Sequence, residues 1–102
     1  MQFIKSSGER TVIVLSGRLD HASAGPLMEE LKTLEGTGVK RIDFECAELE
    51  YMSSAGIRAM VFVKQKIDRT AHVDVHLHDA PQQVKDVFVM SGLADYFEFE
   101  TS

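Results

Sequence analysis

Two stretches of this chain alternate strictly between apolar and polar side chains, and that pattern restricts the fold more than any other feature. In Lys40-Arg41-Ile42-Asp43-Phe44-Glu45-Cys46, residues Ile42, Phe44 and Cys46 fall on one side and Arg41, Asp43 and Glu45 on the other. Val73-Asp74-Val75-His76-Leu77-His78 repeats the pattern. A period of two puts neighbouring side chains on opposite faces of a strand. A central strand of a doubly wound sheet is apolar on both faces, because helices cover both. Here Arg41, Asp43, Glu45, Asp74, His76 and His78 form a polar face. The expectation is therefore a sheet with helices on one face and water on at least part of the other.

The remaining segments fit around those strands. Phe3-Ile4-Lys5 reads as an edge strand, Ser6-Ser7-Gly8-Glu9 as a hairpin turn, and Thr11-Val12-Ile13-Val14-Leu15 as a central strand ended by Gly17. A helix follows, with Ser23 as its expected cap, Pro26 in its first turn and Leu27, Leu31 and Leu34 on one stripe. Gly36 and Gly38 stop it. A second helix is expected from about Ser54 to Asp68, burying Ile57, Met60, Val61 and Ile67. After His78, Asp79 is the expected cap of a third helix, with Pro81 in its first turn and Gln82 at the capping-box position. Its stripe is Val84, Val87 and Phe88, Gly92 ends it, and Tyr96 to Phe99 form a short last strand. The fold class is α/β: a mixed β-sheet of four to five strands with helices packed mainly on one face. Strands joined by helices should be parallel, with right-handed crossovers.

Size and composition narrow the functional classes. With 102 residues, 44% of them hydrophobic, the chain suits one domain spanning 1–102. The longest apolar runs resemble Ala59-Met60-Val61-Phe62-Val63, far short of the ~20 residues of a membrane-spanning helix. Lys5 is followed by Ser6-Ser7-Gly8-Glu9 rather than by an apolar run, so no secretory signal is expected. The single cysteine, Cys46, has no internal partner, which suits a reducing cytoplasm. A net charge of −5 without a basic cluster argues against nucleic-acid binding.

Two segments stand out as candidate sites. In Leu49-Glu50-Tyr51-Met52-Ser53-Ser54-Ala55-Gly56-Ile57-Arg58 a strand feeds a helix, so a serine there caps the helix with an exposed hydroxyl. First-turn N–H groups and the positive end of the helix dipole would favour a phosphate on it, although a plain helix cap needs the same residues. Gly17-Arg18-Leu19-Asp20 follows the central strand. Parallel strands collect their following loops at one edge, so Asp20 and Ser54 are expected to be neighbours, with Asp20 otherwise a loop carboxylate or secondary cap. His76 and His78 share a face with Asp74 and have metal-compatible spacing, but an exposed polar face explains them equally. Cys46 lies in the apolar phase of its strand; Met52, Met60 and Met90 read as core or rim.

Three strings in order resemble one family. Leu15-Ser16-Gly17-Arg18-Leu19-Asp20 is similar to the "L-x-G-x-L-D" opening of STAS domains, Tyr51-Met52-Ser53-Ser54-Ala55-Gly56-Ile57 to their "F-[MI]-D-S-S-G-L" segment, and Ser91-Gly92-Leu93-Ala94-Asp95-Tyr96-Phe97 to their closing "S-G-L-x-x-x-F". The resemblance covers nearly the whole chain and points to the anti-sigma factor antagonist type. It implies a cytoplasmic partner for a serine protein kinase that is also an anti-sigma factor, released when the kinase phosphorylates the antagonist and restored by a metal-dependent serine phosphatase. Mapped here, the phosphorylated serine is Ser54, with Ser53 as the alternative, and the nearby acid is Asp20. The implied partner surface is Asp20, Ser53, Ser54, Ala55, Gly56 and Arg58. The chain departs from the pattern at Ser53, where the family has aspartate, at Ala55, where it has a second serine, and at Glu45, where an aspartate is usual.

Three functions compete. One is a regulatory binding module and kinase substrate without cofactor, metal or membrane contact. The second is a STAS scaffold or accessory subunit of a transporter or signalling assembly, not regulated by phosphorylation. The third is a small serine hydrolase using Ser54 and His21, which lacks the G-x-S-x-G elbow such enzymes use. No G-x-x-x-x-G-K-[ST] loop is present, so ATP should be bound by the kinase rather than by this chain.

Overall fold

The computed structural model describes residues 2–67 and 72–101. Five strands form one sheet in sequence order: β1 (Ile4–Ser6), β2 (Arg10–Leu19), β3 (Arg41–Met52), β4 (Asp74–His78) and β5 (Glu98–Glu100). β1 runs antiparallel to β2, and β2 to β5 are parallel. Helices α1 (His21–Lys32), α2 (Ser54–Phe62) and α3 (Gln82–Met90) supply the crossovers. This is the expected α/β architecture.

Cross-strand register explains the one-sided core. Thr11, Ile42 and Val75 line up across β2, β3 and β4, as do Ile13, Phe44 and Leu77. All of them are buried. The helices meet this face with Leu27 and Leu31, with Ala59 and Met60, and with Val84 and Phe88, each buried. On the opposite face the rows are Arg10, Arg41, Asp74; then Val12, Asp43, His76, Glu98; then Val14, Glu45, His78, Glu100. Val12 and Val14 are only half-buried, so β2 has an apolar second face that no helix covers.

Among the described residues that open face holds one fully buried charge, contrary to the wet surface the alternation suggests. Asp43 accepts hydrogen bonds from Arg10 Nε (2.7 Å), Arg41 Nη2 (2.9 Å) and His78 Nε2 (2.6 Å). Burial alone would push its carboxyl up. The bonds from Arg41, His78 and Arg10 outweigh burial and hold it well below the usual carboxylate range.

Several boundaries differ from the sequence reading. β2 does not end at Gly17: the glycine takes φ +67°, the register shifts, and the strand continues to Leu19. β3 likewise runs six residues beyond Cys46, to Met52. The cap of α1 is Asp20 rather than Ser23, and Pro26 therefore lies in the second turn, where its missing N–H forgoes one helical bond. Asp79 does not cap α3. It takes φ +58°, Pro81 occupies the N-cap position, and Gln82 bonds down the helix to Asp86 (2.9 Å) instead of back to a cap. After Phe62, α2 widens into a π-type turn, Val63–Ile67; Asp68 lies outside the described residues. The last strand is Glu98–Glu100, preceded by a short 3₁₀ turn, Ala94–Tyr96. Met52 and Met60 are core, whereas Met90 is 86% exposed.

Sequence reasoning also missed how the N-terminus is tied down. The Glu30 carboxylate on α1 accepts the backbone N–H groups of Gln2 (3.0 Å), Phe3 (2.9 Å) and Ile4 (2.9 Å).

Candidate functional site

The overrun of β2 and β3 builds the site. Beyond the bulge at Gly17, the two strands stay paired through Arg18↔Tyr51 and Leu19↔Met52, and the chains emerge side by side. The Ser53 N–H donates to the Leu19 carbonyl (2.9 Å), and the Ser53 hydroxyl donates to the same oxygen (3.2 Å). Asp20 follows Leu19 directly. The starts of α1 and α2 are thus fastened to one pair of strand ends, as the parallel topology led us to expect.

Each helix start is capped by its own side chain. The Asp20 carboxylate accepts from Ala22 N (3.0 Å) and Ser23 N (3.3 Å), while the Asp20 N–H donates to Ser23 Oγ (3.0 Å). Ser23, read from sequence as the cap, is the other half of this capping box, and its hydroxyl donates to the Arg18 carbonyl (2.7 Å). The Ser23 N–H is the main reason the Asp20 carboxyl lies below its ordinary range; modest desolvation opposes it, and Ala22 and Arg18 assist. Arg18 approaches Asp20 at 4.0 Å and lays its guanidinium 4.4 Å from the centre of the Tyr51 ring. This Arg18–Tyr51 pair escaped the sequence reading. Only the shifted register after Gly17 brings the two residues opposite each other, and no local pattern announces it.

The paired serines are not equivalent. Ser53 is the N-cap of α2: half-buried, its hydroxyl accepts from Ala55 N (3.2 Å) while donating to Leu19. Ser54 is the first helical residue and is exposed, and among the described residues its hydroxyl has no hydrogen-bond partner. Ala55 is half-buried and Gly56 buried. A β-carbon on Gly56 would stand 2.8 Å from Met52 Cγ and 3.0 Å from both the Leu19 carbonyl oxygen and Leu19 Cγ. Glycine is what lets α2 start flush against the strand ends. Gly56 therefore lies beneath the surface, packed against Met52 and Leu19.

Two shallow grooves flank α2, and Ser54 lines one of them. One, between α2 and α3, is lined by Ser54, Ile57, Val87, Met90 and Ser91. The other, between α1 and α2, is lined by His21, Ala24, Gly25, Met28, Ala55 and Arg58. Arg58 is exposed, one turn beyond Ser54. Ser54 thus presents an exposed hydroxyl at the edge of a mostly apolar groove, with the exposed Arg58 one turn further along α2.

The remaining candidates serve the fold. Cys46 is buried, its thiol pushed up to about 12 by burial and then by Glu45 and Asp79, and it donates to the Phe44 carbonyl (3.6 Å). His76 and His78 direct ring nitrogens at the carboxylates of Glu100 and Asp43. Among the described residues no helix is long and apolar enough to cross a membrane.

The chain has clear relatives. The STAS domain family model matches residues 3–102. The Bordetella bronchiseptica protein BtrV, provisionally named an anti-sigma factor antagonist, is 29% identical over 91 residues, covering 89% of this chain and 78% of its own. The Bacillus cell fate determinant SpoIIAA, solved in its phosphorylated form, superposes with a TM-score of 0.74 at 22% identity, over 94% of this chain and 87% of its own. An anti-sigma factor antagonist from Mycobacterium paratuberculosis gives 0.78 at 14% identity, over 98% and 84%. At these identities the two structures speak for the fold.

Proposed function

The chain belongs to the STAS domain family, and on that footing we propose that it is a cytoplasmic anti-sigma factor antagonist, one STAS domain over 1–102, that works by partner switching. A serine protein kinase that doubles as an anti-sigma factor docks on the edge formed by Asp20, the Ser53-Ser54 turn and the exposed side of α2 with Arg58. It transfers a phosphoryl group to the Ser54 hydroxyl, and the complex separates. A metal-dependent serine phosphatase resets the protein. The chain holds the acceptor and the docking surface; nucleotide and catalytic groups belong to the partner.

The division of labour between the serines is the observation that carries this reading. The Ser53 hydroxyl is committed to a carbonyl and an amide, whereas Ser54 is exposed at the edge of a groove a partner could fill. A phosphate on Ser54 adds roughly −1.5 to −2 charges. In the free domain water and the start of α2 accommodate it, the helix dipole favouring it by ~0.3–1 kcal/mol. In the complex the dianion would lose its water, and a like-charged or unpaired group in an interface costs several kcal/mol.

The test is phosphorylation by candidate kinases with ATP, mapped by mass spectrometry. Ser53→Ala should be modified and Ser54→Ala should not. Full modification of Ser54→Ala would move the acceptor to Ser53. Ser54→Asp should lose kinase affinity by at least roughly tenfold, about 1.4 kcal/mol, while keeping its melting temperature within a few degrees. Parallel loss of fold and affinity would show a conformational switch instead; unchanged affinity would take Ser54 out of the interface.

A further inference from the structure

The polar network on the open face of the sheet ends at the C-terminal strand. The Glu100 carboxylate on β5 meets His76 Nδ1 at 2.6 Å and His78 Nδ1 at 3.4 Å. His78 also directs Nε2 to Asp43, at 2.6 Å. The two imidazoles lie nearly parallel, 19° between planes and 6.3 Å between centres. β5 is three residues long and pairs only with β4, so little else on this face fastens it.

We propose that His76 and His78 form a proton-dependent latch that holds β5 to the sheet, closing as the imidazoles gain protons and loosening as they lose them. The reason is a count of hydrogens. A neutral imidazole carries one N–H; the charged form carries two. Asp43 is buried and ionised, so the single proton of neutral His78 belongs on Nε2. Its Nδ1 then presents a lone pair to Glu100, acceptor against acceptor. Only the doubly protonated ring turns an N–H toward both carboxylates, a hydrogen bond to Asp43 and an ion-pair contact with Glu100. His76 can donate to Glu100 in either state, but its charge turns that bond into an ion pair.

Facing the two rings are Arg10 from β2; Arg41, Asp43 and Glu45 from β3; Asp74 from β4; and Glu98 and Glu100 from β5. Five carboxylates therefore oppose two guanidiniums, and both guanidiniums are already spent on Asp43. Loss of the ring protons takes the second N–H from His78 and the charge from His76, and the Glu100 attachment weakens.

The Asp79 N–H reports on the latch, because it donates to the Glu100 carbonyl (2.8 Å). Hydrogen exchange of this amide and of the β5 amides, corrected for the intrinsic pH dependence and referenced to Phe44 in the core, should be compared at pH 5.5 and 8. Protection in the wild type should fall roughly two- to fivefold, the size of one such ion pair. In Glu100→Gln the pH dependence should shrink to less than half. His78→Gln, checked for folding by circular dichroism, should show the same flattening. Protection that is constant or rises with pH, or an equal fall in Glu100→Gln, would overturn the latch.

Discussion

Replacing Gly56 by alanine puts a number on how tightly the start of α2 is seated. The added β-carbon would lie 2.8 Å from Met52 Cγ and 3.0 Å from Leu19 Cγ and the Leu19 carbonyl oxygen. Met52 and Leu19 are each 2% exposed, so neither side chain can swing into solvent. The carbonyl is pinned by two bonds from Ser53. Overpacking of this kind costs about 1–3 kcal/mol. Alanine recovers at most about 1 kcal/mol of helix propensity, and less in the first turn. The net loss should be about 1–2 kcal/mol, or a melting temperature lower by roughly 5–15 °C for a domain of this size. Because relief requires α2 to lift away from the strand ends, amide shifts should change at Leu19, Ser53 and Ser54, and phosphorylation should slow. Thermal melts and heteronuclear spectra on one preparation give both answers. An unchanged or raised melting temperature would show that the helix start gives way easily, and the rigid seat described above would be wrong.

Ser53→Ala removes the cap of α2 and should cost about 1 kcal/mol in denaturant melts, whereas Ser54→Ala should be near neutral; the reverse order would exchange their structural roles. Asp43→Asn should destabilise the domain by about 2–3 kcal/mol at neutral pH, somewhat below a fully buried pair because Arg10 and Arg41 can turn to water. Since the folded-state carboxyl of Asp43 is depressed, its contribution is present above the unfolded value of about 3.9 and is lost as pH falls below that. Acid titration of the wild type should therefore steepen below about pH 4, and that component should be missing in Asp43→Asn. Glu30→Ala should raise hydrogen exchange at residues 2–4 while sparing β3 and β4; matched loss across the sheet would mean the N-terminal strand is integral to the core.

Much of the fold was legible because one physical rule, period-two alternation, acts locally. Ile42, Phe44, Val75 and Leu77 fell on the buried face as read. The same rule misjudged Asp43, because its burial depends on Arg10, Arg41 and His78 arriving from three strands, which only register decides. The helix caps were displaced for a different reason. Ser23 and Asp79 are good capping residues, but Asp20 lies three positions before Ser23 and takes the cap with Ser23 as its reciprocal partner, while Asp79 is drawn into a left-handed turn that answers Glu100. Gly17 was read as a stop because a glycine after an apolar run commonly is one; here it bends the strand without ending it. The Ser53-Ser54 turn was found by its position between a strand and a helix. Which serine is the cap and which is free was not readable, since it turns on the Leu19 carbonyl, thirty-four residues away in sequence.

The grip of Glu30 on residues 2–4 has a consequence for solution behaviour. A sheet that stops at β1 would ordinarily offer its outermost main chain as a template for a stranger's strand. In this molecule a side chain from α1 already occupies those amides. At the far side, β5 is short and carries Glu98 and Glu100, so two copies brought edge to edge would meet charge against charge. Both borders are thereby less open to pairing with a second copy. The domain can therefore keep an open, polar sheet face without inviting a second copy to extend it.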